Sequence, residues 1–114
     1  MKALLQRVSK AKTVVNEKTV GSIENGLCVF IGVTPTDTEE DISWLVDKII
    51  NLRIFSDEND KMNRSLLDEK GAMLVVSQFT LCGNCKKGRR PSWTEAAEPS
   101  FAEEMYEKFI DEVS

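Results

Sequence analysis

The sequence predicts an α+β fold in which strand residues outnumber helical ones. Three features carry that reading: short β-branched runs separated by turn signals in the first third of the chain, an amphipathic helix after them, and a second helix at the end. At 114 residues the chain reads as a single domain, 1–114, with a core of limited depth.

Residues 2–8 alternate loosely between apolar and polar and read as a strand. Thr13 to Asn16 and Thr19 to Ile23 read as the arms of a hairpin turning near Glu17-Lys18. The apolar run Leu27-Cys28-Val29-Phe30-Ile31-Gly32-Val33, opened by Asn25-Gly26, is short and β-branched, which favours a buried strand over a helix. Thr36 with Glu39, or Thr38 with Asp41, offers a capping-box start for the next element. Ile42, Leu45, Val46, Ile49 and Ile50 then recur at helical spacing and predict an amphipathic helix ending near Arg53. Ser56 to Arg64 is polar and reads as a loop, and Met73 to Ser77 as a second buried strand. Gln78 to Thr94, rich in Gly, Lys, Arg and Pro, reads as irregular and partly exposed. Pro99 suits the first position of a last helix, with Phe101, Met105, Phe109 and Val113 as its inner stripe. Asp111 and Glu112 stand where that helix's dipole disfavours anions, and no Gly, Asn or Pro stop signal follows. The sequence therefore reads as interrupted at its end.

Composition narrows the function classes. With 41% hydrophobic and 30% charged residues the chain has the make-up of an ordinary globular protein. No apolar run approaches the roughly 20 residues of a membrane span, and Met1-Lys2-Ala3-Leu4-Leu5-Gln6-Arg7 is too short an apolar stretch for an export signal. An odd set of three cysteines then points to reduced thiols and a cytoplasmic location. A net charge of −4 argues against a general nucleic-acid coating, and no DNA partner is expected. Lys86, Lys87, Arg89 and Arg90 nevertheless form one basic knot, able to hold phosphates locally while the acidic remainder repels non-specific RNA.

There is no histidine. The usual general base near neutral pH and the commonest metal ligand are thus both missing, and neither a Ser-His-Asp nor a Cys-His hydrolase can be built within one chain. Any hydrolysis must rely on carboxylates, backbone donors or a group on the substrate. Cys82-Gly83-Asn84-Cys85 is a lone C-x-x-C with no second ligand pair, so it is read as two free thiols rather than a zinc site. Asp57-Glu58-Asn59-Asp60-Lys61-Met62 opens like a calcium loop, but lysine and methionine occupy the fifth and sixth positions, where a ligand and a glycine are needed. Neither common glycine-rich phosphate loop is present. No metal and no cofactor are expected.

Two segments remain. The basic knot carries Gly88 between its paired cations and is followed by Trp93, a possible stacking platform for a base; it is otherwise a solvated charge run. Ser77-Gln78-Phe79-Thr80-Leu81 leaves a buried strand and enters the basic stretch with hydroxyls, an amide and backbone donors. Such donors can stabilise the oxyanion of an attacked ester, or the hydroxyls can cap the strand end.

Ser77-Gln78-Phe79-Thr80-Leu81 followed by Lys86-Lys87-Gly88-Arg89-Arg90-Pro91-Ser92 resembles the signature of the D-aminoacyl-tRNA deacylases, also called D-tyrosyl-tRNA deacylases. Gln6-Arg7-Val8, Ile31-Gly32-Val33, Arg53-Ile54-Phe55-Ser56-Asp57 and Lys61-Met62-Asn63 are similar to that family in the same order, so the resemblance covers the whole chain. It implies a mainly antiparallel, barrel-like β core with packed helices and a homodimer with active sites at the interface. The implied reaction is hydrolysis of the ester joining a D-amino acid, or glycine, to the 3′-terminal ribose of tRNA, with the ribose 2′-hydroxyl assisting water. By position, Gln78, Phe79 and Thr80 would line the ester pocket, Phe79 through its backbone N–H, and Ser77 would brace the turn. Thr80 would position rather than attack, since no base is available to activate it. Lys86, Lys87, Arg89 and Arg90 would meet the acceptor-end phosphates.

The family's second motif, Asn-x-Gly-Pro-x-Thr on terminal strands, has no counterpart here, because Pro35, Pro91 and Pro99 all lack a preceding glycine. Arg7 matches the arginine that supports that motif. The expectation is a deacylase fold shortened at its carboxy end. The competing readings are an inactive relative that only binds tRNA ends or a partner, and a redox protein cycling a Cys82–Cys85 disulfide.

Overall fold

The computed structural model describes residues 1–83, 86, 89–90, 92 and 96–113. These form strands β1 (Lys2–Val8), β2 (Ala11–Val15), β3 (Lys18–Ile23) and β4 (Gly26–Gly32), helix α1 (Glu39–Asn51), strands β5 (Phe55–Ser56) and β6 (Met62–Arg64), helix α2 (Leu66–Glu69), strand β7 (Ala72–Ser77), one 3₁₀ turn (Phe79–Cys82) and helix α3 (Pro99–Val113). Hydrogen bonding groups the strands as β1-β4-β7, β2-β3 and β5-β6. The chain divides into two compact units, one of residues 1–4, 30–46 and 76–114, the other of residues 5–29 and 47–75.

In the second unit, β2 and β3 pair antiparallel, with Val15 opposite Lys18. The two residues between them, Asn16 and Glu17, have φ of 51° and 65°. Left-handed backbone at both central positions is the geometry of a two-residue hairpin turn whose twist matches the strands. The turn thus lies one residue earlier than its expected place near Glu17-Lys18, because asparagine tolerates the left-handed region. β4 enters through Gly26, where an added Cβ would lie 1.8 Å from the Ala72 carbonyl oxygen, so only glycine admits this approach to β7.

Residues 56–64, expected as a loop, instead contain a short antiparallel hairpin of β5 and β6. The Asp57 carboxylate accepts from the N–H groups of Asn59 and Lys61 at 2.8 and 3.0 Å, while the Asp57 N–H donates to the Lys61 carbonyl at 2.8 Å. Arg53 hydrogen-bonds both the carbonyl and the side-chain oxygen of Asn63, tying the return strand down. Polarity here reflects side chains spent on their own backbone. Ser65 then caps α2 in a reciprocal box with Asp68, and Lys70 ends that helix in the left-handed region. Leu27, Val29, Ile49, Phe55, Leu66 and Val75 are the buried apolar residues of this unit, together with Cys28.

In the first unit, Thr38 and Asp41 cap α1. The Thr38 N–H donates to the Asp41 carboxylate at 2.8 Å, which selects that pair over Thr36 and Glu39. Asp37, one residue before, is buried and accepts from the Thr34 N–H at 2.7 Å and from the Met1 ammonium. Ile31, Val33, Ile42, Val46, Cys82, Met105 and Phe109 are buried. Met105 and Phe109 come from the expected inner stripe of α3, whose flanking members Phe101 and Val113 are half-buried. Lys108 of α3 joins α1 through Glu39 at 2.7 Å, and the lysine holds the Glu39 carboxyl below its ordinary range.

Candidate active site

The segment singled out by its chemistry lies in the first unit, where β7 ends. The Gln78 N–H donates to the Ile31 carbonyl at 2.7 Å, a last hydrogen bond to β4 before the chain turns. Gln78 itself is extended, with φ −144° and ψ 96°, and starts the 3₁₀ turn. That turn closes through Leu81 N–H to Gln78 carbonyl at 3.3 Å and Gly83 N–H to Thr80 carbonyl at 3.0 Å. Phe79 and Thr80 occupy its first two positions, where helical geometry aims N–H groups outward rather than at a preceding turn.

Ser77, Gln78, Phe79 and Thr80 are all exposed, Phe79 at 57%. Among the described residues the side chains of Ser77, Gln78 and Thr80 make no hydrogen bond, and Gln78 does not cap the turn. The alternative of a strand end capping itself through its hydroxyls is therefore not what this segment does. A cleft of about 520 Å³ opens beside it, lined by Ser77 and Phe79 together with Ala97, Ala102, Glu103 and Tyr106. The volume is that of a small-molecule site, mostly apolar with a few polar groups at its edge.

The far side of the cleft is the part that sequence reasoning missed. Taking Phe101, Met105, Phe109 and Val113 as the inner stripe of α3 passed over the adjacent pair Ala102 and Tyr106, spaced i, i+4. A small residue followed one turn later by an aromatic was the available signal. Ala97 closes the connection by donating its N–H to the Val33 carbonyl at 2.9 Å.

Of the basic knot, Lys86, Arg89 and Arg90 are exposed, while Lys87 lies outside the described residues, as do Trp93 and Cys85. Arg7 belongs to the second unit, on β1, where its guanidinium donates to the Ile54 carbonyl at 3.1 Å and lines an open cleft of about 410 Å³ with Asn25 and Phe55. Cys82, read from the sequence as a loop thiol, is fully buried, and its Sγ lies 3.7 Å from the Val33 carbonyl oxygen. Burial pushes the Cys28 thiol up from its ordinary value, leaving it a poor nucleophile.

A half-open, mostly apolar cleft thus lies beside the exposed side chains of Ser77, Gln78 and Thr80, in a chain without histidine. A family model described as D-Tyr-tRNA(Tyr) deacylase matches residues 4–114, and the chain belongs to that family. A D-aminoacyl-tRNA deacylase of Thermosipho africanus is 60% identical over 111 residues, covering 97% of this chain and 74% of the relative. One from Aquifex aeolicus is 60% identical over 113 residues, covering 99% and 76%. The solved structure of c-Myc DNA Unwinding Element Binding Protein superposes with a TM-score of 0.92 at 37% identity, covering 99% of this chain and 76% of that one. The chain thus spans about three quarters of the length of the relatives it matches. The α+β, deacylase-like fold expected from the sequence is the one found.

Proposed function

We propose that the chain hydrolyses the ester of D-aminoacyl-tRNA, releasing free D-amino acid and tRNA, and so proofreads chirality in translation. The observation that carries this reading is membership of the deacylase family across residues 4–114, with the exposed 77–80 segment beside a cleft of suitable size. An aminoacyl ester needs no strong nucleophile. Two backbone donors held toward the developing oxyanion, with the substrate's 2′-hydroxyl assisting water, supply a route that uses no histidine.

In this reading the N–H groups at Phe79 and Thr80 face the ester, Gln78 orients the ribose end, and Ser77 braces the strand end. The cleft between Phe79 and Tyr106 receives the flat terminal base, for which an aromatic floor and alanine walls are suited. Lys86, Lys87, Arg89 and Arg90 hold acceptor-end phosphates, the chain works as a homodimer, and Arg7 stands where the family's arginine supports the Gly-Pro motif. A tRNA ester as substrate supports a cytoplasmic setting; among the described residues no helix is long and apolar enough to cross a membrane.

The test is release of tyrosine from D-tyrosyl-tRNA and from L-tyrosyl-tRNA by the purified protein. Release from the D-ester only is expected. Equal release from both esters would remove the chiral reading, and no release from a folded protein would remove the hydrolytic one. Replacing Arg89 with alanine is expected to weaken tRNA binding and to reduce the slope of log affinity against log salt by about 0.7–0.9. An unchanged slope would take that cation out of the phosphate contact.

A further inference from the structure

The end of β4 lies directly beneath the 3₁₀ turn, and its contacts are more constrained than the core requires. Gly32 is buried, and a Cβ there would meet Leu81 Cβ at 3.0 Å, Cys82 Sγ at 3.1 Å and the Gln78 carbonyl oxygen at 3.3 Å. All three atoms belong to the turn that carries Phe79 and Thr80. One residue on, the Val33 carbonyl accepts from the Ala97 N–H at 2.9 Å and lies 3.7 Å from Cys82 Sγ. The Ile31 carbonyl holds Gln78 at 2.7 Å. Ile31 and Gly32 at the end of β4, with Val33 just past it, therefore grip the turn at Gln78 where it starts, at Cys82 where it ends, and at Ala97 where the chain returns from the basic stretch.

From this geometry we infer that Gly32 and Cys82 are positioning residues for the deacylation site: the absent side chain at 32 and the buried thiol at 82 together set the height of the Phe79 and Thr80 N–H groups above β4. The inference rests on the deacylase reading above and extends it to two residues that touch no substrate. Cys82 serves this role by shape. Its sulfur fills the space over Gly32, and it spans to Val33 as a weak donor. A methyl group at 32 forces that sulfur, the Leu81 Cβ, or both to give by a few tenths of an ångström, and the turn moves with them. Displacement of a reacting geometry by about 1 Å costs on the order of a hundredfold in rate, so a smaller shift costs roughly tenfold.

The experiment compares wild type, Gly32→Ala, Cys82→Ala and the double variant by two readouts: backbone amide resonances, and single-turnover hydrolysis of D-tyrosyl-tRNA at saturating enzyme. Gly32→Ala is expected to move the Phe79 and Thr80 amides, leave those of residues 5–29 and 47–75 in place, and slow the chemical step roughly tenfold with tRNA affinity unchanged. Removing the sulfur in the double variant is expected to return the two amides part of the way and restore about threefold of the rate, a coupling a merely destabilising substitution would not show. Unmoved amides in Gly32→Ala, or amide shifts and rate losses that simply add in the double variant, would overturn the assignment. Should Gly32→Ala not fold, Cys82→Ala alone decides, since it loosens the same contact: displaced Phe79 and Thr80 amides support the role and undisturbed ones refute it. If the wild type releases no D-tyrosine while the amides shift and couple as described, the deacylase reading falls and the positioning role stands.

Discussion

Two short turns in this chain begin in opposite ways, one with a side-chain cap and one without. At α2, Ser65 accepts from the Asp68 N–H at 3.1 Å while the Asp68 carboxylate accepts from the Ser65 N–H at 2.9 Å. Both donors are answered within four residues, and the Ser65 contact holds the Asp68 carboxyl below its ordinary range. At the 3₁₀ turn, Gln78 occupies the corresponding position and supplies no cap. A side-chain cap is worth about 1 kcal/mol and is cheap to encode, so leaving it out forgoes available stability. The difference separates a turn closed by its own side chains from one whose leading residue offers no side-chain acceptor.

That contrast can be broken or sharpened by substitution, beginning where the effect is largest. Proline at position 79 is compatible with the first position of a helical turn and with the extended backbone of Gln78, yet it removes one N–H. Phe79→Pro is expected to reduce hydrolysis of D-tyrosyl-tRNA by about a hundredfold or more. Phe79→Leu, which keeps the N–H, measures how much of that loss belongs to the ring. A Pro variant no slower than the Leu variant would show that this donor does not act on the ester.

Installing the missing cap should produce the reverse trade. Gln78→Ser places a hydroxyl oxygen where it can accept from the Thr80 N–H, and is expected to raise the melting temperature slightly while lowering turnover roughly tenfold. A gain in both would mean the donors at this turn have no catalytic use. The matching change in the second unit is Ser65→Ala. It is expected to cost about 1 kcal/mol in chemical denaturation and to leave hydrolysis per folded molecule unchanged.

The smallest effect concerns acid. The Lys61 and Asn59 N–H groups, with lesser help from Asn63 and Arg64, hold the Asp57 carboxyl below its ordinary range. A folded-state pKa below the unfolded value near 3.9 means that the stabilisation is present above that unfolded value and is lost as pH falls through the folded one. Asp57→Asn keeps an oxygen acceptor without the charge. The advantage of wild type over this variant in denaturant midpoint is therefore expected to narrow below about pH 4. A constant difference from pH 7 to pH 3 would show that the turn does not favour the ionised form.

Much of the chain could be read before any coordinates. The 3-4 spacing from Ile42 to Ile50, the run Leu27 to Val33 and the Pro99 start each produced an element within a few residues of its expected bounds. These are local features, decided by which face of a helix or strand must leave water. Absent histidine likewise told, unaided, that any hydrolysis must rely on carboxylates, backbone donors or a group on the substrate. The family motifs supplied the reaction.

Other features were decided only by tertiary structure. Nothing near Cys82 in the chain distinguishes it from a loop thiol, because the group its sulfur meets, the Val33 carbonyl, is 49 residues away. Likewise, Thr38 rather than Thr36 caps α1, residues 56–64 return as a hairpin, and Ala102 and Tyr106 face a cleft instead of solvent. Hydropathy reports how much a residue prefers to be buried and at what period. Which buried atoms meet depends on where distant backbone segments stop, and here the place where β4 ends sets the turn that carries the candidate site.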